Sequence, residues 1–199
     1  MNYLAHFFLS PEDPDWIIGS ILGDFVKGTI DPVKFPEFTN GILNGVRLHR
    51  SIDVFTDNSD IFKTSVRRIS GEYRRFSPIL VDMYYDYLLA KHWGALHHEP
   101  FNVLRQKVYR ILSTTNYSGY KRFLKTKSTM ITEDWLGSYR TVGGISTAIE
   151  RLGGRLKRGN TLIGGVKFLL ENESKFENDF LAFIPTVQKY AFEWTNKNC

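Results

Sequence analysis

The chain has 199 residues, 42% of them hydrophobic and 15% aromatic, which excludes a disordered protein and suffices for one sizeable core. No Pro/Gly/Ser-rich linker divides it, so residues 1–199 read as a single domain. The formal net charge of +5 favours an acidic partner. The sole cysteine, Cys199, excludes an intrachain disulfide framework and points to a reducing, cytoplasmic setting.

The opening MNYLAHFFLSPEDPDW lacks the basic start of a signal peptide and meets charge too soon to span a bilayer. Residues 2–9, which include His6, are too few for periodicity to separate helix from strand. Asp13-Pro14 offers a cap and first turn for a helix that Gly28 can stop, with Trp16, Ile17, Ser20, Ile21 and Asp24 on a common side. Asp24, at the negative end of that helix, calls for a compensating cation. A proline-punctuated loop at 31–39 leads to Asn40, read as the cap of a helix to about Phe55 with Ile42, Val46, His49 and Asp53 on one stripe. Thr56, Asp57 or Asn58 begins a third helix through Ile61, Phe62, Val66 and Ile69, and Arg67, Arg68, Arg74 and Arg75 make its far end basic. Pro78 opens a fourth, where Ile79, Asp82, Met83, Asp86 and Leu89 keep a three-to-four rhythm as far as Trp93. Beyond it, helical spacing marks Phe101 to Leu112, then a helix starting over Thr132-Glu133-Asp134-Trp135 and continuing through Ile145 despite Gly143-Gly144. A basic turn at 153–159, a short apolar helix through Phe168 and a long helix from Ser174 to Trp194 follow. Strand alternation persists nowhere, so an all-α fold is expected.

His49 and Asp53 stand one helical turn apart, close enough to share a metal ion or a proton. Such a pair alone is more often a simple hydrogen bond or salt bridge. However, Asp82 and Asp86 fall on an apolar stripe, and Asp24 lies among Ile21, Leu22 and Phe25, where lone carboxylates are costly. One hard divalent ion, Mn²⁺ or Mg²⁺, would relieve several of them together. Arg47 and Arg50 flank His49, where an arginine could clamp phosphoryl oxygens. His6 and His92, judged on the residues alone, read as packed side chains. P-loop, dinucleotide, HExxH and Gly-x-Ser-x-Gly patterns are all absent. The residues together suggest metal-assisted hydrolysis of a phosphate ester, with the basic clusters at Arg67/Arg68/Arg74/Arg75 and Arg151/Arg155/Lys157/Arg158 recruiting a negative substrate. The non-enzymatic alternative is a helical module binding an acidic protein or nucleic acid; nucleic acid is disfavoured because no recognisable binding module is present.

Four segments, NYLAHFFLS, GSILGDFVKG, GVRLHRSIDVFTDN and ILVDMYYDYLLAKHW, in this order across residues 2–93, resemble the acyl carrier protein phosphodiesterases. The resemblance implies an irregular helical bundle distantly related to HD-type metal phosphohydrolases. It also implies removal of the 4′-phosphopantetheine arm from holo-acyl carrier protein with Mn²⁺ or Mg²⁺. Carried over by residue, it implies His6, Asp24, His49, Asp53, Asp82 and Asp86 around the metal, and Asp24, His49, Arg50 and Asp53 as the catalytic set, with Arg50 near phosphate. Acyl carrier protein is small and strongly acidic, so Arg47, Arg67, Arg68, Arg74 and Arg75 are the expected docking residues. Two positions depart from the pattern. Where relatives often read Asp-His-Phe-Leu the chain reads Asp86-Tyr87-Leu88-Leu89, and where some read Gly-Asn it has Gly19-Ser20. A residue next to Asp86 points about 100° away on a helix, so Tyr87 is expected to fill core volume. The competing enzyme reading is a phosphohydrolase of nucleotides or another small phosphate ester. The oligomeric state is left open.

Overall fold

The computed structural model describes residues 1–156 and 162–198. Lys157, Arg158 and Gly159 of the expected basic turn, and Cys199, lie outside the described residues. The described chain is all-α with no strand, in the order α1 (Tyr3–Leu9), α2 (Pro14–Leu22), α3 (Asn40–Asn58), α4 (Asp60–Tyr73), a 3₁₀ turn (Arg74–Phe76), α5 (Ser77–Lys91), α6 (Trp93–Leu96), α7 (Phe101–Thr114), α8 (Lys121–Thr132), α9 (Trp135–Ser138), α10 (Val142–Arg155), α11 (Gly165–Glu171) and α12 (Glu173–Asn198). These helices form a single irregular bundle. Among the described residues no helix is long and apolar enough to cross a membrane.

The caps explain several boundaries. Asp13 accepts from the Asp15 amide and Pro14 stands in the first turn, so α2 begins where the sequence says. It ends earlier than expected, at Leu22 with Gly23 as its cap, so Asp24 lies in the following turn and not on the helix. Thr39, rather than Asn40, caps α3 by accepting from the Ile42 amide, and its hydroxyl donates to Asp15 Oδ2 at 2.6 Å, tying the starts of α2 and α3 together. The α3 helix runs on to Asn58, and Ser59 then caps α4. The short segment that periodicity left undecided is helix α1. The stretch expected as one helix starting over residues 132–135 and running through Ile145 is broken between α9 and α10, where Thr141 accepts from the Gly144 amide as a new cap. Gly153 and Gly154 end α10 instead of forming a turn, and α8 had no counterpart in the sequence reading.

Helix α5 is largely buried, with Leu80, Val81, Tyr84, Tyr85, Leu88 and Leu89 fully so, and packs against α1, α4, α10 and α12. The most extensive helix contact joins α2 to α3. Glycines permit it: a Cβ at Gly19 would lie 2.3 Å from the Ile42 carbonyl oxygen, and one at Gly45 2.6 Å from that of Trp16. This close approach carries His49, one turn beyond Gly45 on α3, against the last turn of α2.

Candidate metal centre

Two helices bring a compact group together. His6 from α1, His49 and Asp53 from α3 offer donor atoms that all lie within 4.8 Å of one another. Asp53 is the hub: its Oδ1 is 3.1 Å from His6 Nε2 and its Oδ2 3.2 Å from His49 Nε2. Asp24, from the turn after α2, stands 3.6 Å from His49 Nε2. Asp82, from α5, comes within 3.1 Å of the Met1 ammonium, which also reaches Asp53 Oδ1 at 3.2 Å.

The two imidazoles are buried and stacked, with ring centroids 3.7 Å apart and planes 15° apart. Nδ1 of His49 lies 2.6 Å from the Ser20 carbonyl oxygen. A carbonyl only accepts, so Nδ1 carries the proton and Nε2 faces the carboxylates. The departure at Ser20 is thereby explained as harmless: the backbone oxygen makes the contact, while the hydroxyl donates to Ile17 O. Gly23 makes room for the ring, since a Cβ there would fall 2.3 Å from His49 Cδ2.

Charge follows geometry. Burial works to lower the pKa of His49, but hydrogen bonds and attraction from Asp24 and Asp53 outweigh it and raise it to about 9. His49 is thus the cation that Asp24 and the carbonyl end of α2 require. Burial, reinforced by the charge on His49, lowers His6 to about 4, so that ring is neutral. Burial opposes ionisation of Asp53, yet its bonds to His49 and His6 hold it far below the usual carboxylate range. Burial pushes Asp82 up despite the neighbouring ammonium.

The other expected site residues are placed elsewhere. Asp86 is fully buried, and both of its oxygens are taken by α1: Oδ2 accepts from the Leu4 amide at 2.9 Å and Oδ1 from the Ala5 amide at 3.0 Å. It anchors the start of the helix that carries His6 and does not join the donor cluster. Arg50 donates to the carbonyls of Gly28 at 2.6 Å and Val26 at 2.7 Å, and Arg47 to Asn44 Oδ1 and the Ile30 carbonyl. Both arginines therefore staple the loop after α2, and neither lines the pocket beside the donor cluster. Arg68 is held by Asp179 at 3.0 Å. Arg67, Arg74 and Arg75 are exposed, and Arg67 lines a shallow cleft with Asp57 and Lys63. Tyr87 is buried and its hydroxyl donates to Glu173 on α12, as its helical position suggested. A second acidic-histidine group, Glu12, His98 and Glu99, is superficial, and Glu12 is already paired with Lys107 at 2.5 Å.

Asp24, Asp53 and Asp82 open onto a pocket of about 370 Å³, whose further lining includes Asp57, Tyr3, Ile79, Met83, Trp135, Tyr139 and Arg151. The sequence reading missed the aromatic wall, because α9 and α10 lie far along the chain from His49. Gly23 was not singled out, and Asp57, which continues the His49–Asp53 spacing by one turn, was left out of the expected site.

The donor set fits a hard divalent cation. It combines imidazole nitrogens with several carboxylates, and the structure already holds a positive charge, the Met1 ammonium, between Asp53 and Asp82. Nδ1 of His6, on the ring edge away from Asp53, is buried without a hydrogen-bond partner. Fold and site define an all-helical protein with a histidine–carboxylate cation centre at the floor of a pocket.

Comparison with known proteins narrows the class. The family described as "Acyl carrier protein phosphodiesterase" matches residues 1–187. Proteins bearing that name from Yersinia pestis and Serratia proteamaculans are each 30% identical to the chain, over 193 and 195 residues, covering 96% of this chain and 97% of theirs. One from Escherichia coli O6:H1 is 28% identical over 196 residues, with the same coverage. The chain belongs to the acyl carrier protein phosphodiesterase family. No solved structure matches it significantly.

Proposed function

We propose that the protein hydrolyses the phosphodiester joining 4′-phosphopantetheine to the serine of holo-acyl carrier protein, and that a divalent ion, Mn²⁺ or Mg²⁺, is held by His6, His49 and Asp53 with Asp24 and Asp82 alongside. Water is added across the bond between phosphorus and the serine oxygen, so apo-carrier protein and free 4′-phosphopantetheine are released. The observation that carries the reading is the convergence of His6, His49 and Asp53 beside a pocket in a chain of this family. Such an ion, when bound, lowers the pKa of water and polarises the phosphoryl group.

The chain's own residues perform the remaining tasks. Ser20 O and Gly23 fix the His49 ring, and Asp86 fixes the helix bearing His6. The pocket, about 370 Å³ with Ile79 and Met83 on its lining, offers room for a slender arm carrying a phosphate. Arg67, Arg74 and Arg75, exposed on α4 and the 3₁₀ turn, are the proposed docking residues for the acidic carrier. The proposed kinship with HD-type metal phosphohydrolases rests on the sequence resemblance, and the single cysteine supports a cytoplasmic location.

The test is a substrate comparison with Mn²⁺-loaded protein. Mass spectrometry of holo-carrier protein should show loss of the arm, reversed in rate by a chelator and restored by the metal. Efficient hydrolysis of nucleotides with no attack on holo-carrier protein would replace this substrate with a small phosphate ester.

A further inference from the structure

The pocket lining bears four carboxylates, Asp24, Asp53, Asp57 and Asp82, against the Met1 ammonium and the two charges of one divalent ion. A phosphodiester is an anion and needs a further cation on the pocket wall. Arg47 and Arg50 are not among the residues that line the pocket; their guanidiniums reach the loop after α2.

Arg151, on α10, lines the same pocket. Its Nη2 pairs with Glu133 Oε2, and its guanidinium carbon lies 4.9 Å from the centroid of the Trp135 ring. The indole Nε1 of Trp135 donates to the same Glu133 oxygen at 3.1 Å, so indole, carboxylate and guanidinium brace one another. A guanidinium carries five N–H donors, enough to serve Glu133 and a phosphoryl oxygen together. Held over an indole face, it gives up little rotamer freedom when an anion arrives. The platform has its own anchor. Asp134 adopts a left-handed backbone (φ 45°) and accepts from Arg105, Tyr109 and the Gly137 amide, which fixes the turn presenting Trp135.

We propose that Arg151 is the anion clamp of the pocket, taking a non-bridging phosphoryl oxygen of the substrate while Trp135 and Glu133 position it. The identity of the diester rests on the function proposed above; capture of a phosphate group by Arg151 does not.

The test compares wild type, Arg151→Ala and Arg151→Lys, each loaded with Mn²⁺, by calorimetric titration with 4′-phosphopantetheine, with pantetheine lacking the phosphate, and with inorganic phosphate. Loss of a charge-assisted hydrogen bond should weaken 4′-phosphopantetheine and phosphate by about 10–100-fold in Arg151→Ala, with partial recovery in Arg151→Lys. Pantetheine binding and Mn²⁺ affinity should be unchanged, and kcat/KM on holo-carrier protein should fall in parallel with phosphate affinity. Equal phosphate affinity in Arg151→Ala overturns the clamp, and so does an equal loss of pantetheine, which would reveal a packing role. If wild type binds phosphate through Arg151 yet leaves holo-carrier protein intact, the clamp stands and the substrate assignment falls.

Discussion

His6 and His49 lie ring on ring, 3.7 Å between centroids, and both direct Nε2 at the one carboxylate of Asp53. Stacked rings so close do not readily carry two charges, and the environment divides the roles: His49 is pushed up to about 9, His6 down to about 4. A cation bound at His49 Nε2 must therefore displace a proton, whereas His6 is already neutral at pH 7. Apparent Mn²⁺ affinity should rise about tenfold per pH unit from pH 6 towards 9, with close to one proton released per ion. Calorimetry in buffers of different ionisation enthalpy measures both quantities. An affinity independent of pH over this range would remove His49 Nε2 from the ligand set.

Gly23 should prove as sensitive as a ligand. A methyl group there would collide with the His49 ring 2.3 Å away, whereas one at Gly71 meets nothing within 4 Å. Gly23→Ala is expected to lower Mn²⁺ affinity by about 10–100-fold, the range seen when groups that orient ligands are disturbed. Gly71→Ala should leave affinity unchanged and stabilise the fold by about 0.4–1 kcal/mol. Metal titration and urea unfolding of the two variants separate these effects; equal metal affinity would show that the ring is not constrained by this contact.

Asp86 gives a pH signature in folding. Burial raises its pKa to about 7, against the pull of the Leu4 and Ala5 amides. Between about pH 4, where an unfolded aspartate ionises, and pH 7 the folded chain holds a proton the unfolded chain has lost. Its stabilising contribution is thus full below about pH 4 and is lost as pH rises to about 7. Asp86→Asn cannot titrate, so metal-free variant and wild type should diverge across that window in urea unfolding. Because its amide N–H faces a backbone N–H, the variant should also be less stable by about 1–3 kcal/mol at acid pH. Parallel stability curves would refute the assignment.

The helical fold and half of the centre were legible in sequence because helices write their contacts locally. His49 and Asp53 share a face by spacing alone, and the cap at Asp13 is short-range chemistry, whereas the stop was expected at Gly28 and falls at Leu22. What was hidden is long-range. Nothing near Asp86 indicates that its oxygens would anchor a helix some eighty residues earlier, so a buried carboxylate on an apolar stripe read as a ligand. Likewise Arg47 and Arg50 announce their charge but not their direction, which the loop carbonyls of Val26, Gly28 and Ile30 decide. The wall built from Trp135 and Arg151 depends on how α9 and α10 return to the pocket, information spread over the whole core.

The arginines of α4 should separate by function. Arg67 is exposed beside the cleft containing Asp57, whereas Arg68 is paired with Asp179, itself bonded to Ser65. Arg67→Ala is expected to raise KM for holo-carrier protein about 3–10-fold and to weaken its salt dependence, with kcat unchanged. Arg68→Ala should instead cost at most about 1 kcal/mol of stability with little change in KM. Steady-state kinetics at two ionic strengths read the difference, and an unaltered KM for Arg67→Ala would exclude that face from docking.

The shared carboxylate provides the most direct measurement. Metal-free wild type and Asp53→Asn, both shown folded by circular dichroism, are titrated with Mn²⁺ while binding and release of 4′-phosphopantetheine from holo-carrier protein are followed together. Wild type should gain turnover in step with metal occupancy, and Asp53→Asn should lose at least about 100-fold in both, since the two histidines lose their common partner. Turnover by Asp53→Asn at the wild-type rate would contradict a catalytic centre built on His6, His49 and Asp53.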